Sequence, residues 1–147
     1  MKKIIITFSL FIASFTFAQE TAPPPPSMPT VENKIVIDNL IKTAGFEKYI
    51  YSYCLEKIEQ AAKENNWNEK KTQEIIKSIH FNQFKDTIYN TFSLYSKEDL
   101  ISLVKLFEKL NHNKKNINLI PISDTIQHNL EGFATDLIKG DYLFLNK

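Results

Sequence analysis

The first thirty residues restrict the fold most, because neither of their two parts can join a packed core. Residues 1–18 have the layout of a secretory signal peptide: two lysines, an apolar run, and small residues before a cleavage site after Ala18. The apolar run is about half as long as the roughly 20 residues that a membrane-spanning helix needs. Residues 19–30 include four consecutive prolines, which cannot continue a helix and favour an extended, disordered tether. The sequence therefore predicts that residues 31–147 form the folded domain.

The signal peptide also predicts a location. Its cleavage implies export, either to the periplasm or out of the cell. The first cysteine after the cleavage site is Cys54, too far along the chain to carry a lipid, so we expect neither a lipid anchor nor a transmembrane anchor after cleavage. We interpret the proline run as a stiff spacer, with docking to a proline-recognising partner as the alternative.

The single cysteine cannot form an internal disulfide. Cys54 lies four residues from Ile50 and four from Ile58, a spacing that places all three on one apolar face of a helix. We therefore expect a buried, unreactive thiol, because free cysteine packs as a small hydrophobic residue. An intermolecular disulfide in the oxidising export compartment is the alternative.

The charged residues argue against nucleic-acid binding. All 18 basic residues are lysines, so the chain lacks the guanidinium group that usually grips phosphate or guanine. Removal of the signal peptide would also take two lysines from the net charge of +1, which leaves −1. A basic surface for a polyanion is not predicted.

No motif indicates a cofactor, a metal ion or a catalytic residue. His80, His112 and His128 lack the spacing of a zinc site, and a single cysteine cannot complete one. Three glycines in the whole chain are too few to favour a phosphate-cradling loop. The sequence therefore favours a protein that is not an enzyme, and no cofactor is predicted.

Apolar residues recur every three or four positions through most of the folded domain, which predicts an all-α bundle of five to six helices. The first helix is predicted over residues 31–44, with Ile35 among its core-facing residues. Gly45 stands at the position where glycine ends a helix. The second helix is predicted over residues 46–65.

Capping residues mark the later helices. Asn68, Ser96 and Ser123 each occupy an N-cap position, and the sequence that follows Ser96 resembles a capping box. Gly140 follows the last predicted helix. Near His80 the apolar pattern changes phase, which predicts either two helices or one kinked helix between the first two caps.

The residues that follow the last helix are apolar. An extended segment Tyr142-Leu143-Phe144-Leu145 would expose four large side chains to water. We expect this segment to fold back on the bundle.

Aromatic residues are abundant, with 11 phenylalanines, six tyrosines and one tryptophan. Most are expected to fill the core, but tyrosine and tryptophan also favour interfaces. Two of them stand off the main apolar stripes and one is predicted to lie in a loop. These three define a candidate interaction surface: Tyr51, Tyr89 and Trp67.

Four phenylalanines define a different candidate site. Ligand pockets in helical proteins form between helices and are lined mainly by apolar and aromatic side chains. If this bundle encloses such a cavity, the residues predicted to line it are Phe84, Phe92, Phe107 and Phe133.

The C-terminal part of the chain carries a recognisable series of residues. Tyr95-Ser96-Lys97-Glu98-Asp99-Leu100 is a capped helix entry, and Phe107-Glu108 follows on the same predicted helix. Lys115 and Pro121 come after it. In these positions the segment resembles DUF2059, a family of exported bacterial domains of unknown function, in which a capped helix leads to a Phe-Tyr-x-Ser-Pro-x-Gly-x-Lys segment and a later proline.

Two departures from that pattern alter the turn. Leu110-Asn111 replaces Ser-Pro, and Asn113 replaces the glycine. Asparagine tolerates the left-handed backbone conformation better than most residues, so a turn is still expected at Asn113. The resemblance implies an all-helical exported domain and supplies no activity, substrate or catalytic residue.

These observations lead to one main hypothesis and two alternatives. The main hypothesis is an exported helical domain that works without catalysis, by binding another protein or an envelope component. The first alternative is a carrier that holds a hydrophobic small molecule between its helices. The second is an enzyme whose active site follows no known motif.

Overall fold

The computed structural model describes residues 27–112 and 119–142. The predicted signal peptide and all but the last four residues of the proline-rich tether lie outside the described residues, and both remain predictions. The predicted turn at Asn113 and the apolar residues 143–145 also lie outside them.

The described chain forms a compact bundle of six α-helices, which confirms the predicted all-α class. No strand occurs in residues 27–112 or 119–142. A 3-10 helix, Phe81–Gln83, lies between the third and fourth α-helices. The six are α1 (Val31–Ala44), α2 (Phe46–Glu64), α3 (Glu69–Lys77), α4 (Lys85–Phe92), α5 (Lys97–His112) and α6 (Asp124–Lys139).

The predicted caps form the expected hydrogen bonds. Asn68 Oδ1 accepts from the backbone N–H of Lys71 at 2.9 Å, and Ser123 Oγ accepts from that of Ile126 at 3.2 Å. Ser96 Oγ accepts from the N–H of Asp99 at 3.1 Å and donates to its carboxylate at 2.7 Å. Each cap satisfies a backbone donor that has no partner within its own helix, which typically stabilises a helix by about 1 kcal/mol.

The phase of α1 differs from the prediction at one residue. Its buried side chains follow helical spacing through Ile37, Leu40, Ile41 and Ala44. Ile35 is 67% exposed, so the expectation that it faces the core was wrong. The physical reason is rotation: two residues turn a helix by about 200°, so Ile35 and Ile37 cannot both face inward.

The segment from α3 to α4 confirms the predicted break. It contains two α-helices joined by the 3-10 helix rather than one kinked helix. Ser78 is buried where α3 ends, and its hydroxyl donates to the carbonyl of Ile75 at 2.7 Å. This bond satisfies a polar group that would otherwise be costly in the core.

The core lies between the packed helices. α1 packs most extensively against α5, α2 packs against α6 and α3, and α4 packs against α6. Fully buried side chains at the centre, each contributing about 1.5–3 kcal/mol of hydrophobic stabilisation, include Phe46, Ile50, Ile58, Leu100 and Leu130. In the described parts of the chain, no helix has both the length and the apolar character needed to cross a membrane.

Candidate functional site

Tyr51, one of the three predicted contact residues, is an exposed aromatic residue on a concave surface. Its side chain lies on α2 and is 44% exposed. It lines an open groove of about 770 Å³ between α1, α2 and the start of α4. We call this the Tyr51 groove. Its walls consist of Asp38, Ile41, Lys42, Gly45, Glu47, Lys48, Tyr51, Phe81, Asn82 and Lys85.

Helical spacing explains which residues line the groove. On α1, the lining residues Asp38, Ile41 and Lys42 follow one another at intervals of three and one, so they share a face. On α2, Glu47 and Tyr51 stand one turn apart on the side that meets this face. Ile41 is buried, whereas the side chains nearer the rim are charged. The groove therefore has an apolar floor and a polar rim.

Gly45 sets the angle between the two helices that form the walls. Its φ of 78° is left-handed, a conformation that costs side-chain-bearing residues about 1–2 kcal/mol. Its N–H donates to the carbonyl of Ile41 at 3.1 Å, and its own carbonyl accepts from the N–H of Tyr49 at 3.2 Å. One residue thus ends α1 and begins α2.

A three-residue cluster fixes the groove to the fourth helix. The ammonium group of Lys85 on α4 lies 2.7 Å from Asp38 Oδ1 on α1. The Tyr89 hydroxyl, one turn further along α4, donates to the same oxygen at 2.6 Å. Lys34 and Lys85 also place their ammonium groups 5.0 and 5.3 Å from the centre of the Tyr89 ring, within the range of cation–π attraction.

Tyr89 therefore corrects one sequence prediction. It was expected on the surface because it stands off the main apolar stripe, but its side chain is only 2% exposed. Its ring fills the space between α1 and α4, and its hydroxyl finds a partner in Asp38. The physical reason is that a phenol can enter a core when one carboxylate satisfies its hydroxyl. Tyr89 is a structural residue behind the groove rather than a contact residue.

The pKa values of Asp38, Lys85 and Tyr89 suit a cluster that holds helices together at neutral pH. Burial raises the pKa of Asp38, but the hydrogen bonds from Lys85 and Tyr89 outweigh burial and leave that pKa below its ordinary value. The hydrogen bond to Asp38 raises the pKa of Lys85. Burial and the bond to Asp38 raise the pKa of the Tyr89 hydroxyl. All three groups keep their charge states across neutral pH, so the cluster positions helices and has no group poised to exchange a proton.

Lys42 and Lys48 give the rim of the Tyr51 groove its free positive charge. Both are exposed, and within the described residues neither ammonium group has an ion-pair partner. Glu47 on the same rim is the opposing carboxylate, while the charge of Asp38 is already balanced by Lys85. The groove can therefore pair a carboxylate of a bound molecule while an apolar group of that molecule rests on its floor.

Trp67 lies in the loop between α2 and α3, as predicted. Its ring is half-buried against the core. The ammonium group of Lys71 stands 4.0 Å above the ring centre, so one ring face is covered by a neighbour of the same chain. Trp67 does not line the Tyr51 groove, and its role in an interface remains a prediction.

The four phenylalanines predicted to line a cavity are all buried, with exposures of 2–8%. Phe84 and Phe133 face each other with ring centres 5.7 Å apart. Phe92 packs edge-on against Phe46 at 6.5 Å, and Phe107 is buried on α5. The structure thus brings Phe84 and Phe133 together, whereas the ring of Phe92 contacts those of Phe46 and Tyr95.

Cys54 is buried on α2, as expected for an unreactive thiol. Its side chain is inaccessible, and burial raises the pKa of the thiol to about 12. The nucleophilic thiolate is therefore scarce at neutral pH. Across residues 27–112 and 119–142, no group of three or more histidine, cysteine or acidic side chains is arranged to hold a metal ion.

Comparison with known proteins gives no relative from which a function could be inferred. No protein-family model matches the chain, and no curated protein or solved structure shows significant similarity to it. The resemblance of the C-terminal segment to DUF2059 therefore remains a prediction.

Sequence reasoning found Tyr51 but missed its neighbours in the groove. Asp38, Lys42 and Lys85 belong to two helices separated by 40 residues in the chain, and each looks like an ordinary solvated charge. The spacing of Asp38, Ile41 and Lys42 on one helical face was legible in the sequence. The sequence did not show which helix would pack against that face, because the pairing of helices depends on tertiary packing.

Proposed function

We propose that this protein is an exported binding module, and that the Tyr51 groove receives a segment of a partner protein of the cell envelope. The export half of the proposal is supported by the signal-peptide layout of residues 1–18. The binding half is supported by one observation above all: a large tyrosine ring, 44% exposed, stands in a concave surface of about 770 Å³.

An exposed tyrosine in a groove is well suited to binding. Tyrosine buries a large ring at low entropic cost and keeps a hydroxyl for a directed bond, which is why it is enriched among residues that dominate interfaces. Half of the Tyr51 side chain is already held by the protein, so less freedom is lost when a partner covers the rest.

The groove walls are held in place before any partner arrives. Asp38 ties α1 to α4 through two bonds of 2.6 and 2.7 Å, and Gly45 joins α1 to α2 with no flexible linker. A site that needs no rearrangement loses less binding free energy to ordering.

The charges suggest which segment would fit. Lys42 and Lys48 lie on the rim, and the buried Ile41 lies beneath them. A segment that places an apolar or aromatic side chain on the floor and an acidic side chain at the rim would satisfy both features. The hydrophobic-carrier alternative has less support, because the four phenylalanines predicted to line its cavity are only 2–8% exposed, which leaves little ring surface free for a ligand.

Site-specific photo-crosslinking tests the proposal. A benzophenone amino acid replaces Tyr51 in one variant and Tyr95 in another; Tyr95 is equally exposed, at 47%, but does not line the groove. Both proteins are produced in the native cell and irradiated. We expect a discrete crosslinked protein from position 51 and none of the same mass from position 95.

A second variant checks the role of the rim. Lys42→Glu combined with Lys48→Glu reverses the free charge of the rim and should strongly reduce the crosslink from position 51. Lys70→Glu combined with Lys77→Glu makes the same charge change on exposed residues of α3 and should leave it intact. Irradiation that yields no crosslink at position 51, or the same product from positions 51 and 95, would remove the groove as the binding site.

A further inference from the structure

A second groove lies beside the last described residue of the chain. It has a volume of about 230 Å³ and lies between α4 and α6. We call it the C-terminal groove, and its lining consists of Gln83, Phe84, Thr87, His128, Asn129, Gly132, Phe133, Asp136 and Tyr142. The facing rings of Phe84 and Phe133 form its apolar floor, and Gln83 and Asn129 belong to its polar rim.

The path of the chain leads to this groove. The N–H of Gly140 donates to the carbonyl of Leu137 at 3.0 Å, and the N–H of Asp141 donates to that of Asp136 at 3.0 Å. These two bonds form a Schellman motif, which turns the chain back at the end of a helix. The next residue, Tyr142, packs its ring edge-on against Phe133 with ring centres 5.2 Å apart.

The groove has room for a further side chain. At Gly132 an added Cβ would meet no atom within 4 Å, so the groove is open at this lining residue. The groove also offers polar partners for a backbone. The buried Oε1 of Gln83 receives no hydrogen bond within the described structure. Buried acceptors are normally satisfied, and an incoming peptide N–H would satisfy this one.

We propose that the C-terminal segment Leu143-Phe144-Leu145 of the same chain occupies the C-terminal groove. Side chains alternate along an extended segment, so Tyr142 and Phe144 point to the same side. With Tyr142 on Phe133, Phe144 enters the open space beside Gly132. An extended segment covers about 3.3–3.6 Å per residue, so three residues span the single helical turn of about 5.4 Å between Phe133 and Asn129.

Disulfide trapping tests this arrangement, because Cys54 is buried and does not compete. In one variant Leu145→Cys is combined with Asn129→Cys, on the rim of the groove. In the control it is combined with Glu131→Cys, two residues further along α6 and turned away from the groove. Residues 129 and 131 are both exposed, so neither substitution disturbs the core. Intramolecular disulfide formation is followed by mass spectrometry after mild oxidation.

A docked segment predicts an intramolecular disulfide that forms at least about tenfold faster with Asn129→Cys than with Glu131→Cys, because docking raises the local thiol concentration. Adding Phe144→Ala should abolish the difference. Equal rates at the two positions, no disulfide at either, or a rate unaffected by Phe144→Ala would each overturn the proposal. A disulfide-linked dimer would assign the groove to the tail of a second copy and would overturn it too.

Discussion

The two long-range ion pairs made by α1 have nearly the same length and very different surroundings. Glu32 and Lys97 join α1 to α5 at 2.8 Å, with 73% and 47% of their side chains exposed. Asp38 and Lys85 join α1 to α4 at 2.7 Å, with 43% and 30% exposed, and share their carboxylate oxygen with the buried Tyr89. The difference teaches that distance alone does not measure the strength of an ion pair.

Solvent explains why the two pairs should behave differently. Water and dissolved ions screen the Glu32–Lys97 pair, and such exposed pairs rarely stabilise a protein measurably. The Asp38 carboxylate instead satisfies a phenol hydroxyl that burial has removed from water. Losing this partner leaves a polar group unsatisfied, which is costly. The α1–α4 contact is thus the one that holds a wall of the Tyr51 groove.

The largest effect is expected from removing the ring behind the groove. Tyr89→Ala should lower the free energy of unfolding by about 3–5 kcal/mol, as is typical for deleting a large buried aromatic side chain. Tyr95→Ala, close to the exposed ion pair, is the matched control and should cost much less, because the Tyr95 side chain is 47% exposed. Urea unfolding followed by circular dichroism measures both. Equal losses would show that the two regions are packed alike.

A smaller effect is expected from removing the charge of Asp38. Asp38→Asn should cost about 1 kcal/mol at neutral pH, because charge-assisted hydrogen bonds become neutral ones. The folded-state pKa of Asp38 lies below its ordinary value of 3.8, so its contribution is complete above that value and disappears as the pH falls through the folded-state pKa. Unfolding free energies of wild type and variant, measured from about pH 6 to about pH 2, should converge at the acidic end.

Glu32→Gln on the same helix is the control for that experiment. Hydrogen bonding to Lys97 lowers the pKa of Glu32 as well, but solvent surrounds the pair. We expect no measurable change in stability at neutral pH. A difference between wild type and the Asp38→Asn variant that stays constant down to the lowest pH would contradict the assignment of that difference to the charge of Asp38.

The smallest effect is expected from salt. At about 1 M salt the screening length falls to about 3 Å, so any coupling between Glu32 and Lys97 should vanish. The coupling between Asp38 and Tyr89 should persist, because its donor is a neutral hydroxyl in a buried position. Double-mutant cycles in low and high salt measure both couplings. Loss of the Asp38–Tyr89 coupling in high salt would erase the distinction between the two regions.

Local signals in the sequence predicted the helices well. Asn68, Ser96 and Ser123 cap helices because their side chains reach backbone groups three residues away, an interaction that depends on neighbouring residues alone. Gly45 and Gly140 end helices for an equally local reason, since both adopt positive φ. These features are legible without knowledge of the fold.

The candidate site was less predictable, because its members meet only after packing. Tyr89 stands off the apolar stripe of its helix in the sequence pattern. It is buried nevertheless, because its hydroxyl donates to Asp38, 51 residues earlier in the chain. The exposure of Tyr51 could be predicted from its position on α2. The groove around it also includes Phe81 and Lys85, which only tertiary packing brings next to α1 and α2. Periodicity assigns a residue to a face of its helix, and tertiary contacts decide what that face meets.

The direct succession of α1 and α2 at Gly45 limits how the Tyr51 groove can change shape. With no linker between the helices, the walls cannot separate by slackening of a loop. Any widening must pass through rotation about the two backbone bonds of this one residue, or through the breaking of a helical turn beside it. The width of the groove therefore depends on the backbone of Gly45, and a substitution there would change the shape of the groove even with every other lining residue unchanged.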